Sequence, residues 1–205
     1  MARLADYAAR LDSMRTHASY RFEGELSTLD REGNPDSRKA MKARVDADGR
    51  ATHTTILSYT DDGADRTEYA QKKAVDREKK KPDKPKVRLP IVADEQPRYV
   101  FDQVETDAAD PTRVKVTFVP KTPGSDTIEG SAWIDARTGA LLSAGFKLSK
   151  PSMFVDYVHF SVEFGDTTSL GPAVSSIEVD GRSGFLFFHK RFRGKAMVHD
   201  YAIVP

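Results

Sequence analysis

Residues 130–148 read GSAWIDARTGALLSAGFKL and predict two β-strands joined at the Thr138-Gly139 turn. On both sides of the turn apolar and polar residues alternate with a period of two, as in strands with one buried face. Ala132 and Ile134 share one face, whereas Trp133, the single tryptophan of the chain, lies on the other. The stretch therefore predicts an antiparallel hairpin and leaves open which layer Trp133 joins.

The same alternation begins at Tyr20 and returns after Pro90, where it continues to the end of the chain. Short turn sequences separate the apolar runs, and consecutive strands joined by short turns build an antiparallel meander. Accumulated twist curls such a sheet, of about eleven strands, into a strongly curved half-barrel. The turns are predicted at Asp48-Gly49, Asp62-Gly63, Thr138-Gly139, Asp180-Gly181 and Arg193-Gly194.

Helices are few in this mainly β (α+β) prediction. Leu4, Tyr7, Ala8, Leu11 and Met14 recur at helical spacing and form one apolar stripe. We expect this N-terminal helix, with one or two further helices, to cover the concave face of the sheet. No low-complexity linker divides the chain, so residues 1–205 are predicted to be a single domain.

A lysine-rich arm is predicted at residues 70–90, where little can be buried. From Lys72 to Arg88 there are nine basic and three acidic residues. The arm is either a solvated surface segment or a lid that contacts lipid headgroups or an anionic membrane surface. The whole chain has a net charge of +1, which argues against nucleic acid as a partner. The candidate lid residues are Lys72, Lys73, Lys79, Lys80 and Lys81.

Composition and motifs make catalysis an unfavoured hypothesis. The chain has no cysteine, and its five histidines form no pair at metal-ligand spacing on one helix. No phosphate-binding loop is present, so we expect neither a metal nor a cofactor. A hydrolase would need Asp156 near His159 or His189, and nothing else in the sequence nominates catalytic residues.

Large aromatic residues recur on the predicted strands, where they allow two interpretations. They form a plain core if the helix fills the concave side, or they line an apolar cavity if it does not. The residues predicted to form the cavity wall are Phe22, Phe101, Phe118, Trp133, Phe146 and Phe160.

The order of elements resembles that of the LolA-like superfamily of bacterial periplasmic lipoprotein and lipid carriers. An N-terminal helix leads into HASYRFEGELSTLD (residues 17–30), followed by a meander, a polar helical insertion and the strand pair quoted above. Ala132-Trp133-Ile134-Asp135, followed by Thr138-Gly139, resembles the recurrent strand of the family. The resemblance implies a half-barrel whose concave face, closed by helices, holds acyl chains without catalysis.

From this resemblance we expect a non-enzymatic, monomeric protein that binds lipid or lipidated protein in the bacterial cell envelope. The chain as given carries no export signal in its first residues, and the resemblance alone implies a periplasmic location. The alternative is a packed protein-interaction or envelope-stress sensor module without a lipid ligand.

Overall fold

An open, eleven-stranded antiparallel sheet is the core of the fold, in the strand order β4-β3-β2-β1-β13-β12-β9-β8-β7-β6-β5. The computed structural model describes residues 2–79, 87–151, 153, 155–185 and 188–204. The predicted half-barrel with an N-terminal helix and one further helix is confirmed. Because the sheet does not close, β4 and β5 are its two edges.

The secondary-structure elements follow each other with short connections. The helices are α1 (Ala2–His17), α2 (Thr67–Lys79) and a 3₁₀ turn (Gln96–Arg98). The strands of the main sheet are β1 (Ala18–Leu29), β2 (Pro35–Ala47), β3 (Thr52–Asp61), β4 (Ala64–Asp65), β5 (Tyr99–Thr106), β6 (Arg113–Pro120), β7 (Ile128–Asp135), β8 (Leu141–Leu148), β9 (Val155–Glu163), β12 (Ser176–Phe185) and β13 (Phe188–Ile203). A separate two-stranded sheet pairs β10 (Asp166–Thr168) with β11 (Gly171–Ala173).

The two faces of the sheet differ in chemistry because residues alternate between them. Cross-strand ion pairs cover the convex face, where neighbouring charged residues of opposite sign interact. The side-chain distances are 2.9 Å for Lys42–Glu23, 3.0 Å for Lys195–Glu178 and 2.9 Å for Lys147–Glu129. The concave face carries the apolar side chains, so this is the face that a helix or a ligand must cover.

Helix α1 covers the half of the concave face that β5–β9 build. Its apolar stripe is buried there as predicted, and Tyr7 is fully buried. The Tyr7 hydroxyl donates a hydrogen bond of 2.7 Å to the carbonyl of Pro172 in β11. Burial raises the pKa of Tyr7 well above its usual range. One hydrogen bond therefore ties the middle of α1 to the small sheet.

The Thr138-Gly139 turn holds the N-terminal end of α1. Gly139 has a φ of +73°, and a Cβ at this position would lie 2.4 Å from the carbonyl carbon of Arg3. The Arg3 guanidinium donates a hydrogen bond of 2.9 Å to the carbonyl of Ala136 in the same turn. The turn that defines the hairpin in the sequence thus also positions the helix.

Helix α2 lies along the outer edge of β3 instead of on the concave face. Backbone N–H groups of β3 donate to the side chains of α2: Tyr59 to Thr67 Oγ1 (2.9 Å), Ile56 to Gln71 Oε1 (2.6 Å) and Thr54 to Glu78 Oε1 (2.8 Å). An exposed strand edge can pair with another chain, so these contacts close that edge. The part of the predicted arm up to Lys79 is this helix; residues 80–86 lie outside the described residues.

Two predicted turns are wrong because their glycines lie inside strands. Gly181 belongs to β12 and Gly194 to β13, with Val179 and Gly194 paired across the two strands. A Cβ at Gly181 would lie 2.2 Å from the ring of Phe192, so glycine makes room for an aromatic side chain here. The Asp62-Gly63 turn is confirmed, with positive φ at both residues. None of the described helices has the length and apolar character needed to cross a membrane.

We expect Gly139→Ala to destabilise the fold by about 2–4 kcal/mol, because the new Cβ meets both positive φ and the backbone of Arg3. Gly33→Ala is a matched control, since Gly33 has a φ of +92° but nothing within 4 Å of the added Cβ. It should cost only about 1 kcal/mol. Chemical denaturation measures both, and equal losses would show that the contact with α1 contributes nothing.

Stability should fall as the pH rises above about 10, the pKa of an unfolded tyrosine. The buried Tyr7 keeps its proton in the folded state, whereas the unfolded chain loses it, so alkali favours unfolding. Tyr7→Phe should be less stable than the unaltered protein at neutral pH, having lost the bond to Pro172, but should show a shallower alkaline decline. Urea midpoints across the alkaline range test this, and Tyr69→Phe, at an exposed position, is the control. Parallel declines for all three proteins would contradict the assignment.

Candidate apolar binding site

An apolar cavity of about 330 Å³ lies between α1 and the sheet. We call it the roofed cavity. Its floor is built by inward-facing residues of β5–β9 and β12, and its roof by Leu4 and Leu11 of α1 together with residues 89–91. Almost no polar surface lines it. The volume and lining are typical of a site for an apolar ligand.

A row of phenylalanines crosses the floor of the roofed cavity. Phe101 pairs with Phe118 across β5 and β6, and Phe146 pairs with Phe160 across β8 and β9. The rings of Phe146 and Phe160 stack with centroids 5.4 Å apart. Gly130 of β7 stands between Phe118 and Phe146 in the register, and a Cβ there would lie 2.1 Å from a backbone oxygen of β8. The row is therefore continuous in register but leaves open space above Gly130.

Of the predicted wall residues, Phe101, Phe118 and Phe146 line the roofed cavity. Phe160 stacks directly against Phe146. Phe22 lies elsewhere on the concave face, among residues of β1–β3, β12 and β13. Trp133 lies outside both surfaces, because the strand alternation that turns Ala132 and Ile134 inward turns Trp133 to the convex face. There Lys115 Nζ lies 5.8 Å from the centre of its ring.

Arg15 is the one charged side chain in the lining of the roofed cavity, among the described residues. It stands near the C-terminal end of α1, and its guanidinium forms an exposed ion pair of 3.1 Å with Asp12. An apolar site with one cation at its margin can hold an apolar chain and its acidic end together. Sequence reasoning missed Arg15, because at helical spacing it falls outside the apolar stripe.

A buried carboxylate fixes the roof segment that carries residues 89–91. The side chain of Glu95 is only 6% exposed, and it lies between two arginines. Arg88 Nη1 is 2.9 Å from Oε1, and Arg98 Nη1 is 2.7 Å from Oε2. Arg98 also donates to Asp126 at 2.9 Å and holds the pKa of that carboxyl below its usual range. We call this group the Glu95 clamp; it ties the roof to the start of β5 and to the loop before β7.

The lysines of the predicted lid do not face the roofed cavity. Lys72 and Lys73 are exposed on α2, where Lys73 Nζ lies 4.6 Å from the centre of the Tyr69 ring. Lys79 ends the helix, and its side chain is not described. Lys80 and Lys81 lie outside the described residues. The roof that the structure does describe is formed by α1 and residues 89–91.

No constellation for catalysis or metal binding is found within the described part of the chain. Groups of three or more metal-ligating side chains are absent there. Asp156 forms an ion pair of 3.0 Å with Arg182, and His159 is exposed opposite Asp180 in the register of β9 and β12. The side chain of His189 is not described. The chemistry that the described residues offer is apolar burial with one cation beside it.

We expect Glu95→Gln to loosen the roof, because it leaves two arginines without their shared charge. The loss of a charged hydrogen-bonding group should cost roughly 1.5–3 kcal/mol in unfolding free energy. Hydrogen exchange at the backbone amides of residues 91–96 should become faster. Asp126→Asn is the control: it breaks an exposed bond to the same Arg98 and should have a smaller effect. Unchanged exchange in Glu95→Gln would mean that the clamp does not hold the roof.

Comparison with known proteins gives similar folds. No family model and no curated protein matches the sequence. The chain is similar to a DUF1329 family protein from Desulfovibrio piger, with 13% identity, 98% of this chain and 92% of that chain covered, and a TM-score of 0.44. A LolA superfamily protein from Nitrosomonas europaea is 7% identical, with 97% and 92% covered and a TM-score of 0.36.

The Pseudomonas aeruginosa MucA/MucB complex is a third similar structure, with 17% identity, 96% of this chain and 94% of that chain covered, and a TM-score of 0.29. The LolA superfamily is also the one that the sequence resembles. At these identities and TM-scores the comparisons assign neither a ligand nor a partner to this chain.

Proposed function

We propose that this protein binds the acyl chain of a lipid or a lipidated protein in the roofed cavity, without catalysis, in the bacterial cell envelope. The observation that carries the proposal is the cavity itself: about 330 Å³ of space whose lining is almost wholly apolar. An apolar cavity that excludes polar ligands still offers burial to hydrocarbon. The periplasmic location rests on the resemblance of the sequence to periplasmic carriers.

The energetics favour a chain over a compact polar ligand. Each methylene moved from water into an apolar site contributes about 0.8 kcal/mol. Ten buried methylenes would therefore contribute roughly 8 kcal/mol, from which the cost of immobilising the ligand must be subtracted. That balance is sufficient for a micromolar complex with few polar contacts.

The margin of the cavity supports an anionic group at one end of the ligand. Arg15 lines the cavity and is partnered only by the exposed Asp12 among the described residues. A carboxylate or phosphate could replace Asp12, and planar guanidinium groups bind both with two parallel hydrogen bonds. Arg15 is therefore the proposed headgroup contact of the roofed cavity.

Helix α2 is the proposed contact with an anionic membrane surface. Lys72 and Lys73 are exposed, and the neighbouring Tyr69 is 56% exposed. Basic residues beside an exposed aromatic ring favour the boundary between headgroups and water. In this proposal the helix brings the protein to the membrane, while the cavity takes up the chain.

The decisive test is native mass spectrometry of the protein purified from a bacterial host, with organic extraction, followed by titration with a fluorescent fatty acid. Ala144→Phe projects a ring into the roofed cavity and should lower fatty-acid affinity at least tenfold. Ser143→Phe is its matched control, because Ser143 pairs with Trp133 and lies on the opposite face of β8. It should bind as the unaltered protein does.

Two outcomes would contradict the proposal. One is an unaltered protein that is free of lipid and takes up no fatty acid; the concave aromatic residues would then be plain core, and the interaction module would be favoured. The other is equal binding by Ala144→Phe and Ser143→Phe with both folded, which would place any bound lipid outside the cavity. Melting curves establish that both variants are folded.

A further inference from the structure

A second apolar depression lies on the same concave face, beyond the roofed cavity. We call it the open furrow. It has a volume of about 360 Å³ and crosses β1–β3, β12 and β13. All its lining residues belong to strands, so no described helix or loop covers it. Its larger apolar side chains are Phe22, Leu26, Met41, Tyr59, Ile177 and Val179.

Small residues set the depth of the open furrow. A Cβ at Gly24 would lie 2.9 Å from the ring of Phe22, and one at Gly194 would lie 3.0 Å from both Leu26 and Val179. The large side chains therefore lie low, over bare backbone, instead of standing upright on the sheet. The result is a shallow apolar trough with its own glycine-based floor, which plain solvent exposure would not require.

Ile177 joins the open furrow to the roofed cavity. It lines both surfaces, and its two cross-strand partners lie one on each side. Val162 of β9 is its partner on the cavity side, and Ala196 of β13 is its partner on the furrow side. The two depressions are thus adjoining parts of one apolar path along the concave face.

The open furrow leaves apolar surface in contact with water. Leu26 is 39% exposed, although it lies on the apolar side of β1, whose other side carries Glu23 in its ion pair with Lys42. At the far margin Lys39 forms an ion pair of 3.4 Å with Asp61, and Lys39 also lines the furrow. The apolar path therefore has a polar end, away from the roofed cavity.

We propose that the open furrow is a second subsite for hydrocarbon: the chain that enters the roofed cavity, or a second chain of the same lipid, passes Ile177 and lies in the furrow. This inference rests on the proposed function. Continuity with the roofed cavity favours hydrocarbon as the occupant, since a chain leaving the cavity at Ile177 meets further apolar surface and not water. The shared chemistry is an unbranched acyl chain, from either source.

The test is a series of fatty acids from decanoate to docosanoate, bound to the unaltered protein and to variants. Affinity should rise roughly fourfold per methylene until the chain reaches the end of the apolar path, and then level off. Leu26→Asn makes the furrow polar, so its affinity should level off at a shorter chain. Leu57→Asn is the matched control, because Leu57 is 52% exposed on β3 and does not line the furrow.

A second pair of ligands distinguishes the two sources of the chain. Phosphatidylglycerol carries two acyl chains and its lyso form carries one. If a second chain fills the furrow, Leu26→Asn should weaken phosphatidylglycerol at least tenfold and leave the lyso form unchanged. If one long chain fills it, the fatty-acid series changes and the ratio of the two phospholipids does not. Met41→Gln repeats both measurements should Leu26→Asn fail to fold.

The outcomes separate this inference from the proposed function. Levelling off at the same chain length in Leu26→Asn, Met41→Gln and the unaltered protein, with an unchanged phospholipid ratio, would overturn the furrow subsite and leave the roofed cavity standing. Absence of any fatty-acid binding to the unaltered protein would overturn both. A dimer in sedimentation that Leu26→Asn dissociates would also overturn the subsite, since a second copy of the chain would then cover the furrow.

Discussion

The size of the concave face relative to its helix governs the rest of this structure. Eleven strands spaced about 4.8 Å apart span roughly 48 Å, whereas the sixteen residues of α1 extend about 24 Å. One helix of this length cannot cover an apolar face of that width. The covered half becomes core and roofed cavity, and the uncovered half becomes the open furrow. Anchors at both the turn around Gly139 and the carbonyl of Pro172 decide which half is covered.

Much of the fold follows from the alternation of residues, because each strand states its own two faces. The period of two predicts the strands and the apolar face, and the stripe through Leu4 and Tyr7 predicts α1. Glycine is where this reasoning fails. The dipeptides Asp180-Gly181 and Arg193-Gly194 are typical of turns, but here glycine makes room for Phe192 and Leu26 inside strands. A glycine required by close packing and one required by a turn look alike until the neighbouring strand is known.

The candidate site divides in the same way between what is local and what is not. Inward alternation was sufficient to predict Phe101, Phe118 and Phe146, and it warned that Trp133 belongs to the other layer. Phe22 shares the apolar face but not the cavity, because sequence does not reveal which half of the sheet a helix covers. Glu95 and Arg15 carried no periodic signal. Their roles come from a loop conformation and a helix position that only the assembled fold defines.

The way α2 closes β3 has a consequence for how this architecture can change. The edge is satisfied by three side chains, those of Thr67, Gln71 and Glu78, and not by a neighbouring backbone. Backbone pairing is indifferent to sequence, whereas side-chain pairing can be erased by a handful of codon changes. Such changes would leave the strand order intact and yet offer β3 to a new neighbour. The boundary of this sheet is thus written in a few replaceable residues, and a route from monomer to assembly lies only a short mutational distance away.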